Sequence, residues 1–519
     1  RYGCTKNLEM SVSIGIYDDP DHQLQSQAVV DIGDSNVLII GSSQYGKTNL
    51  LETIVRGLAE NYSPKEVNIY IIDFASMVLK NLEKLAHVGG VVCPADDEKL
   101  KNLLKYLTDQ INYRREAMLS VGVSSFTSYK EAGYKEFPQI ILMIDNFTML
   151  KDLYLQDNDM LLNLCREGTS TGISIVIANA QTSGLGYKYM ANFATRISMF
   201  CNEPSEYASV FGACRMRPDE TPGRCLVEVE KTIYECQTFL AFEGEREIER
   251  IQNMQKFVGE MNERYSKMRA VPIPEIPQLL GEKYVFDRFK GSYDTVKQII
   301  GIGYETVSPI VYEIPKNNLL AVCGGENTGK ANFLKYILHS MQRTHSDIEL
   351  FIFDNYKKKL DSFRTDSTVY DVTGEQCKDT LINLDVYLQN KYQSLIAGDE
   401  LDQAWKVLLI NNEDAFQSIS GDKVALSAFM NIVGKYKMLN MFVLLGNVPN
   451  AQVVYGAPEI YKIVKEGRNI IFFDNLENMK LVDVSLTIVR HNKKKIETGD
   501  AFYICGNECL KIKTPLAIQ

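Results

Sequence analysis

Short apolar runs alternate with longer amphipathic stretches along the chain, and they do so in the same order twice. Four such runs lie in each half, at 36–40, 68–73, 139–145 and 173–180, and again at 318–323, 349–354, 406–411 and 441–448. Between the second and third run of each half lies a long stretch with helical spacing. Apolar strands that alternate with helices are typical of parallel sheets covered by helices on both faces. The pattern therefore predicts an α/β fold.

The two halves also share a glycine-rich loop. The loop at 41–48 reads GSSQYGKT and the loop at 324–331 reads GGENTGKA, and each follows an apolar run and precedes a helical pattern. A similar segment, IGIYDDP at 14–20 or IGIGYET at 300–306, stands upstream of each loop. Self-similarity over such a distance indicates two copies of one domain type.

The boundary between the copies is marked by prolines. A polar amphipathic helix predicted over 243–268 gives way to a segment that contains Pro272, Pro274 and Pro277. Because proline lacks an N–H group and fixes φ, it interrupts a helix and favours an extended connector. We therefore predict three regions: a first module over 1–270, a proline-containing linker over 271–284 and a second module over 285–519.

Composition and charge narrow the class of protein. With 519 residues, 45% of them hydrophobic and 24% charged, the chain suits two or three globular domains. Its net charge is −10, whereas a protein that neutralises many phosphates usually has a basic face. We therefore expect no nucleic-acid partner. No apolar run reaches the ~18–20 residues of a membrane helix, and the start at Arg1 predicts a piece of a longer protein.

The first glycine-rich loop matches the G-x-x-x-x-G-K-[ST] pattern of P-loop NTPases. Its glycines let the backbone turn successive N–H groups toward one point, where they and the helix N-terminus bind phosphate. Lys47 is expected to contact the β- and γ-phosphates, and the Thr48 hydroxyl to ligate Mg²⁺. We predict that ATP and Mg²⁺ are bound by the whole loop: Gly41, Ser42, Ser43, Gln44, Tyr45, Gly46, Lys47 and Thr48.

Polar residues at the ends of the other runs complete the predicted site. Asp145 ends the third run, where such proteins keep the acidic residue that holds Mg²⁺. The next residue, Asn146, can orient a water molecule but cannot accept its proton, so we predict ATP binding with slow hydrolysis. Asn179 and Gln181 follow the fourth run and are candidates for orienting water, with turn formation as the alternative. Asp73, at the end of the second run, is interpreted as structural or interface-forming, with the acid that holds Mg²⁺ as the alternative.

The second loop keeps Gly324, Gly329 and Lys330 but has Ala331 in place of the metal-ligating Ser or Thr. Asn411 stands at the position of the strand acid. A methyl group cannot ligate Mg²⁺, and a neutral amide is a poor substitute for a carboxylate on a hard cation. We predict that this module is catalytically inactive and binds nucleotide weakly through the three retained residues. Glu413 and Asp414 lie nearby and are alternative metal ligands.

Several segments resemble one family: the stretch 14–48, residues 71–92, the run at 139–147, CREGTSTGISIVIANAQ at 165–181 and TPGRC at 221–225. They are similar to the EssC/EccC proteins of type VII secretion systems, which are membrane-anchored members of the FtsK/SpoIIIE superfamily. The resemblance covers nearly the whole chain and is closest to the last two tandem ATPase modules, in a Firmicute-like form. It implies two tandem RecA-like P-loop NTPase domains with mainly parallel central sheets.

The resemblance also implies a function. Such a chain would be the cytosolic motor or coupling part of a secretion machine at the cytoplasmic face of the cell membrane, forming hexamers and contacting other membrane components. It would help to export small helical-hairpin substrates, with a C-terminal signal bound in an apolar pocket of the last module. Arg166 falls where relatives carry basic residues near the subunit interface, which implies an arginine acting in trans; a solvated arginine at a helix end is the alternative. The piece itself is expected to be soluble and to lack a transmembrane segment.

Two other functions remain open at this point. An FtsK-type DNA translocase shares the fold but should have a basic DNA-facing surface and usually a winged-helix tail. The acidic balance and the β-like segment 499–516 argue against it. A non-hydrolysing, ATP-gated scaffold would bind nucleotide to order an interface, and a turnover assay would distinguish it from a motor.

Overall fold

The computed structural model describes residues 10–154, 159–398, 404–437, 439–454, 456–492 and 495–517. The chain divides into two compact units, Arg1–Glu275 and Ile276–Gln519. This division falls within the predicted linker, while the predicted limits of the modules themselves stay a prediction. Residues 1–9, with which the predicted first module begins, lie outside the described residues.

The first unit contains ten strands and eight helices among its described residues. The strands are β1 (Ser11–Asp19), β2 (Leu24–Asp31), β3 (Val37–Ile40), β4 (Val67–Asp73), β5 (Val88–Val92), β6 (Gln139–Asp145), β7 (Ile173–Asn179), β8 (Thr195–Met199), β9 (Arg224–Val229) and β10 (Thr232–Thr238). The helices are α1 (Lys47–Asn61), α2 (Asp97–Ser120), α3 (Phe126–Glu131), α4 (Phe147–Tyr154), α5 (Met160–Glu167), α6 (Tyr187–Met190), α7 (Ser205–Phe211) and α8 (Glu247–Arg264).

These strands form one sheet in the order β2-β1-β10-β9-β8-β3-β7-β6-β4-β5. The pairs from β8 to β5 are parallel, and the remaining pairs are antiparallel. Each apolar run of the first half forms one of the parallel strands. The antiparallel extension was not predicted. Taken together, its strands β9 and β10 contain a smaller fraction of apolar residues than the four apolar runs of the first half.

The second unit repeats this arrangement among its described residues. The strands are β11 (Lys297–Gly303), β12 (Pro309–Glu313), β13 (Leu319–Gly324), β14 (Ile348–Phe353), β15 (Val369–Asp371), β16 (Trp405–Ile410), β17 (Met441–Val448), β18 (Asn469–Phe473), β19 (Asp500–Cys505) and β20 (Glu508–Lys513). The helices are α9 (Glu282–Arg288), α10 (Lys330–Thr344), α11 (Cys377–Ala397), α12 (Glu413–Gly421), α13 (Lys423–Val433), α14 (Glu459–Gly467) and α15 (Leu486–His491).

The order of the second sheet is β12-β11-β20-β19-β18-β13-β17-β16-β14-β15. Strand for strand this is the order of the first sheet, so the internal repeat is a repeat of topology. The pairs from β18 to β15 are again parallel. The predicted α/β fold, with two tandem P-loop domains built on mainly parallel sheets, is confirmed.

Both sheets are covered on both faces. Along β3, Val37 and Ile39 belong to one buried cluster, whereas Leu38 and Ile40 belong to another. Side chains alternate across a strand, so one apolar cluster lies on each side of the sheet. A strand buried on both faces reads as a continuous apolar run, which explains why the runs are visible in the sequence.

The proline-containing segment begins within the first unit, where it is hydrogen-bonded to β4 and β5. The N–H of Val271 donates to Asn68 Oδ1, and the N–H of Ile273 donates to the carbonyl of Gly89.

Among the described residues, no helix combines the length and apolar character needed to cross a bilayer.

Candidate functional site

The glycine-rich loop of the first unit joins β3 to α1. The neighbouring strands fix its start, because the N–H of Gly41 donates to Asn179 O (3.2 Å) and that of Ser42 to Phe200 O (2.8 Å). Gly46 has a φ of 103° directly before α1, a left-handed conformation that favours glycine. The first N–H groups of a helix have no intrahelical partner and can therefore bind an anion. The loop thus presents backbone donors at the carboxyl edge of the sheet.

Three of the predicted site residues lie together at this edge. Lys47 Nζ donates to the carbonyls of Gly41 (2.7 Å) and Ser42 (2.8 Å), and an ammonium group has a third N–H to offer a phosphate. Thr48 Oγ1 donates to Asp145 Oδ2 at 2.7 Å. This contact forms because β6, which ends at Asp145, is the second strand from β3 in the sheet. A hydroxyl and a carboxylate therefore meet beside the phosphate-binding lysine.

The electrostatics of this pair favour a cation. Burial raises the pKa of Asp145 to about 6, against the hydrogen bond from Thr48 and the charge of Lys47, which lower it. Burial also lowers the pKa of Lys47. A divalent cation beside Asp145 would favour its ionised form, and hydroxyl and carboxylate oxygens are the donors that Mg²⁺ prefers. The residues present therefore fit a magnesium site.

Asp73 lies next to Asp145 in the sheet but differs from it in its hydrogen-bond partners, which are backbone N–H groups. Its Oδ1 accepts hydrogen bonds from the N–H groups of Ala75 and Met77, and its Oδ2 accepts one from Leu79. The carboxylate thus holds the loop that follows β4. These contacts agree with the structural interpretation of this residue.

The amides near the site are likewise engaged in local structure. Asn146 has a φ of 68°, donates through Nδ2 to Phe74 O and accepts from Met149 N. Asn tolerates left-handed backbone better than Glu, which gives a physical reason for an amide at this position. Asn179 accepts from the N–H of Thr148, which agrees with a structural role at the turn, and the proposed orientation of water by Asn179 stays a prediction.

Gln181 and Arg166 are both exposed. Gln181 lies at the start of the 3₁₀ turn Thr182–Gly184, and its Oε1 accepts from Ser183 Oγ at 3.5 Å. Arg166 lies in the last turn of α5, and within the described part of the chain it forms no hydrogen bond or ion pair. Nothing in this unit alone assigns either side chain to a phosphate, so both roles stay predictions.

A cavity of about 540 Å³ opens beside the loop. It is lined by Thr48 and Glu52 of α1, by Gln237 and Phe239 at the end of β10, and by Arg250 of α8. The sequence analysis missed Glu52 and also the three residues that the antiparallel strands and α8 bring to the loop, which are Gln237, Phe239 and Arg250. Of these residues, only Glu52 could have been assigned to the site from the sequence. It lies one helical turn beyond Thr48 and therefore on the same face of α1.

Glu52 has the most unusual carboxyl environment in this cavity. Burial raises its pKa to about 7, and the charges of Asp145 and Asp73 act in the same direction, while Arg250 opposes them. The pKa of Glu52 is thus higher in the folded than in the unfolded state. Its ionisation therefore costs folding free energy as the pH rises from about 4.5 to about 7.

We expect Glu52→Gln to stabilise the fold at pH 8, by about 1–3 kcal/mol in the free energy of unfolding. At pH 4.5 the folded wild-type carboxyl is already protonated, so the gain should nearly vanish. Urea denaturation at both pH values measures this, with Glu60→Gln on the exposed end of the same helix as the control. A gain of equal size at both pH values, or a loss at pH 8, would contradict this account of Glu52.

The second unit places its loop in the same way but without the metal-binding pair. Lys330 Nζ donates to the carbonyls of Gly324 and Gly325, both at 2.6 Å, and Gly329 has a φ of 117°. Ala331 offers no oxygen, and Asn411 is buried in a polar network. Its Nδ2 donates to Asp354 Oδ1 (2.8 Å) and its Oδ1 accepts from Asn447 Nδ2 (2.9 Å).

Glu413 and Asp414, the alternative metal ligands, begin α12. They line a cavity of about 660 Å³ together with Lys330. Asn412 caps this helix, accepting from the N–H of Asp414 and Ala415, and acidic residues in the first turn of a helix are favoured by its dipole. Their placement is thus explained by the helix, without a metal.

Comparisons with known proteins find similar chains among proteins of ESX and type VII secretion systems. Residues 7–215 match the FtsK/SpoIIIE family. The chain is similar to the ESX secretion system protein EccC of Geobacillus thermodenitrificans, with 25% identity over 97% of this chain and 34% of that protein. It is also similar to the type VII secretion system protein EssC of Staphylococcus aureus, with 20% identity over the same shares. The chain spans about a third of the length of these relatives.

Solved structures agree at the level of the fold. EssC (ATPases 2 and 3) from Geobacillus thermodenitrificans superposes with a TM-score of 0.84 at 24% identity, over 100% of this chain and 98% of that one. Thermomonospora curvata EccC (ATPases 2 and 3), in complex with a signal sequence peptide, gives a TM-score of 0.72 at 17% identity, over 100% and 95%. These comparisons confirm the resemblance to EssC/EccC-type ATPases of the FtsK/SpoIIIE superfamily and to two tandem modules of theirs.

Proposed function

We propose that the chain is the ATP-dependent coupling part of a type VII protein secretion machine, acting at the cytoplasmic face of the cell membrane. The first module binds Mg-ATP, and the second recognises exported helical-hairpin proteins. The similarity to secretion proteins supports the secretion role, and the observation that carries the nucleotide-binding part is the contact between Thr48 and Asp145 at 2.7 Å, beside Lys47. It provides the oxygen pair that a magnesium ion bound to ATP requires.

In this site each residue of the chain has a separate task. The loop amides and Lys47 would hold the phosphates, and Thr48 and Asp145 would hold Mg²⁺. The metal ion would stabilise the negative charge that develops on the transferred phosphoryl group. Gln181 would orient the attacking water, and Arg166 would act on the site of a neighbouring subunit in a hexamer. Since Asn146 supplies no base, turnover by the isolated chain should be slow.

The second module supplies recognition in this proposal. The related EccC structure holds a signal sequence peptide, and a helical signal in an apolar groove is a common mode of recognition. The second unit exposes apolar side chains, among them Val424 and Met430 of α13 and Leu486 of α15, and α13 is the contact site proposed for such a helix. The predicted partners are therefore substrates with a C-terminal signal and other components of the machine, and no nucleic acid.

A binding assay tests the division of labour between the modules. A fluorescent peptide carrying a substrate's C-terminal signal should bind the nucleotide-free chain, and Lys330→Ala should leave its affinity unchanged, because the contact surface is apolar. Loss of binding in Met430→Asp, with Lys423→Asp on the same helix as the control, would place the peptide on α13. Peptide binding that requires ATP in the second loop would contradict the proposal.

Turnover separates a motor from an ATP-gated scaffold. The purified assembled protein should hydrolyse ATP slowly alone and faster with substrate, as measured by phosphate release. ATP binding with no hydrolysis under either condition would favour the scaffold.

A further inference from the structure

The loop after the second parallel strand has the same backbone course in both units. It follows Asp73 in the first unit and Asp354 in the second. Six residues after the aspartate, the N–H of Leu79 or Leu360 donates to its Oδ2, at 3.0 or 2.9 Å. Four residues after the aspartate, Met77 and Lys358 both have positive φ, 58° and 47°. The two loops can therefore be compared residue by residue.

This comparison pairs neutral side chains with lysines. Ser76 corresponds to Lys357 and Val78 corresponds to Lys359. Ser76 and Val78 line the cavity beside the first phosphate loop, and Lys357 and Lys359 line the cavity beside the second. The intervening residue, Lys358, lines neither cavity. The cavity beside the second phosphate loop is thus lined by two lysines, Lys357 and Lys359, at positions where the first cavity has neutral residues.

The same cavity has lost its means of holding a metal. Ala331 stands where the first unit has Thr48, and Asn411, at the position of Asp145, is committed to Asp354 and Asn447. In the first unit a divalent cation would neutralise phosphate charge at this place. In the second unit two metal-ligating groups are gone and two ammonium groups have been added.

The charged residues that line the second cavity are of both signs. Lys330, Lys357 and Lys359 face it together with the carboxylates of Glu326, Glu413 and Asp414. Burial lowers the pKa of Lys330, and the nearby charges of Lys357 and Lys359 lower it further, while Glu326 opposes them. Lys330, Lys357 and Lys359 line the same cavity, so their ammonium groups act on one region. Glu326 pairs with Lys357 across 3.6 Å but is 84% exposed at its side chain, so an anion can displace it at little cost.

We propose that the second module binds a polyphosphate ligand, such as a nucleoside triphosphate, without a metal ion. Lys330 and the loop amides hold the phosphates, and Lys357 and Lys359 supply the positive charge that magnesium supplies in the first module. Lysine is a common phosphate ligand that acts as a point charge. The site is therefore a metal-independent ligand site and not an empty remnant. This inference does not depend on the function proposed for the first module.

The test uses the full chain carrying Lys47→Ala, so that binding by the first loop is suppressed. ATP and inorganic tripolyphosphate are titrated by calorimetry in excess EDTA and in Mg²⁺. ATP should bind in both buffers with affinities within about threefold, and Lys330→Ala should abolish this binding, which assigns it to the second loop. Comparable binding of tripolyphosphate would show that the phosphates carry the recognition, whereas ATP binding alone would identify a nucleotide site; either result supports a metal-independent site.

The lysines are tested by giving the second loop the residues of the first. Lys357→Ser with Lys359→Val should weaken ATP binding in EDTA by about tenfold to a hundredfold. Lys358→Met, the corresponding exchange at the intervening position, should have no effect. Binding seen only with Mg²⁺ and lost in Glu413→Gln would instead indicate a metal held by α12, and the proposal would be overturned. Unchanged affinity of the double variant, or no ATP binding in EDTA, would overturn it as well.

Discussion

Lys47→Ala is expected to remove Mg-ATP binding from the first module, with a loss of affinity of at least about a hundredfold. Lys47 Nζ lies 2.7 and 2.8 Å from the carbonyls of Gly41 and Ser42, and this anchoring aims its free N–H at the phosphate position. A charge-assisted hydrogen bond to a phosphate contributes about 1.5–3 kcal/mol, and alanine loses every such bond that the lysine makes.

Calorimetry of ATP in Mg²⁺ measures this effect most cleanly in a chain that carries Lys330→Ala, because only the first loop then binds. Lys65→Ala, at an exposed position of the same unit, is the matched control and should bind as the parent does. An unchanged affinity in Lys47→Ala would show that the nucleotide, if bound, lies elsewhere.

Asp145→Asn should remove the magnesium dependence of ATP binding, giving the first module the amide that the second has at Asn411. In the Lys330→Ala chain, Mg²⁺ should raise the ATP affinity by about tenfold or more before the change and by less than twofold after it. The fold should not be weakened, because burial raises the pKa of Asp145 to about 6 and its ionisation is therefore already costly.

Asp73→Asn provides the contrast, since both residues are buried acids at the ends of neighbouring strands. Asp73 accepts three backbone N–H groups, so an amide there should lower the free energy of unfolding by about 1–3 kcal/mol. The magnesium dependence of ATP binding should persist. If instead Asp73→Asn abolished the effect of Mg²⁺ and Asp145→Asn retained it, the roles of the two acids would have to be exchanged.

Four parallel strands of each sheet could be predicted from the sequence, because they are buried on both faces and read as apolar runs; β5, β8, β15 and β18 were not predicted. The loop at 41–48 could be predicted from the P-loop motif, and Asp145 could be predicted because it ends an apolar run. The antiparallel strands β9 and β10 could not be predicted in the same way, since their residues are partly exposed and polar. Gln237 and Arg250 were missed because only tertiary packing brings them to this cavity, whereas Glu52 lies on the same face of α1 as Thr48 and could have been identified from its spacing.

The backbone explains two further differences. Asn146 is predicted to slow hydrolysis because it cannot accept a proton, and this stays a prediction; its φ of 68° and its bonds to Phe74 and Met149 add that an amide also suits the turn after β6. The second module was interpreted from what its motif had lost. The two lysines at 357 and 359 can be recognised as replacements of Ser76 and Val78 only in the structure. There, equivalent hydrogen bonds to Asp73 and Asp354 align the two loops.

A crystal structure of the full chain grown with a slowly hydrolysed ATP analogue and Mg²⁺ tests the central claim most directly, which is that the first module is a magnesium-nucleotide site. The account predicts a triphosphate held by residues 41–48, with a metal ion ligated by Thr48 Oγ1 and near Asp145. It predicts a triphosphate without a metal at the second loop. An empty first loop, or a triphosphate there whose metal avoids both Thr48 and Asp145, would contradict it.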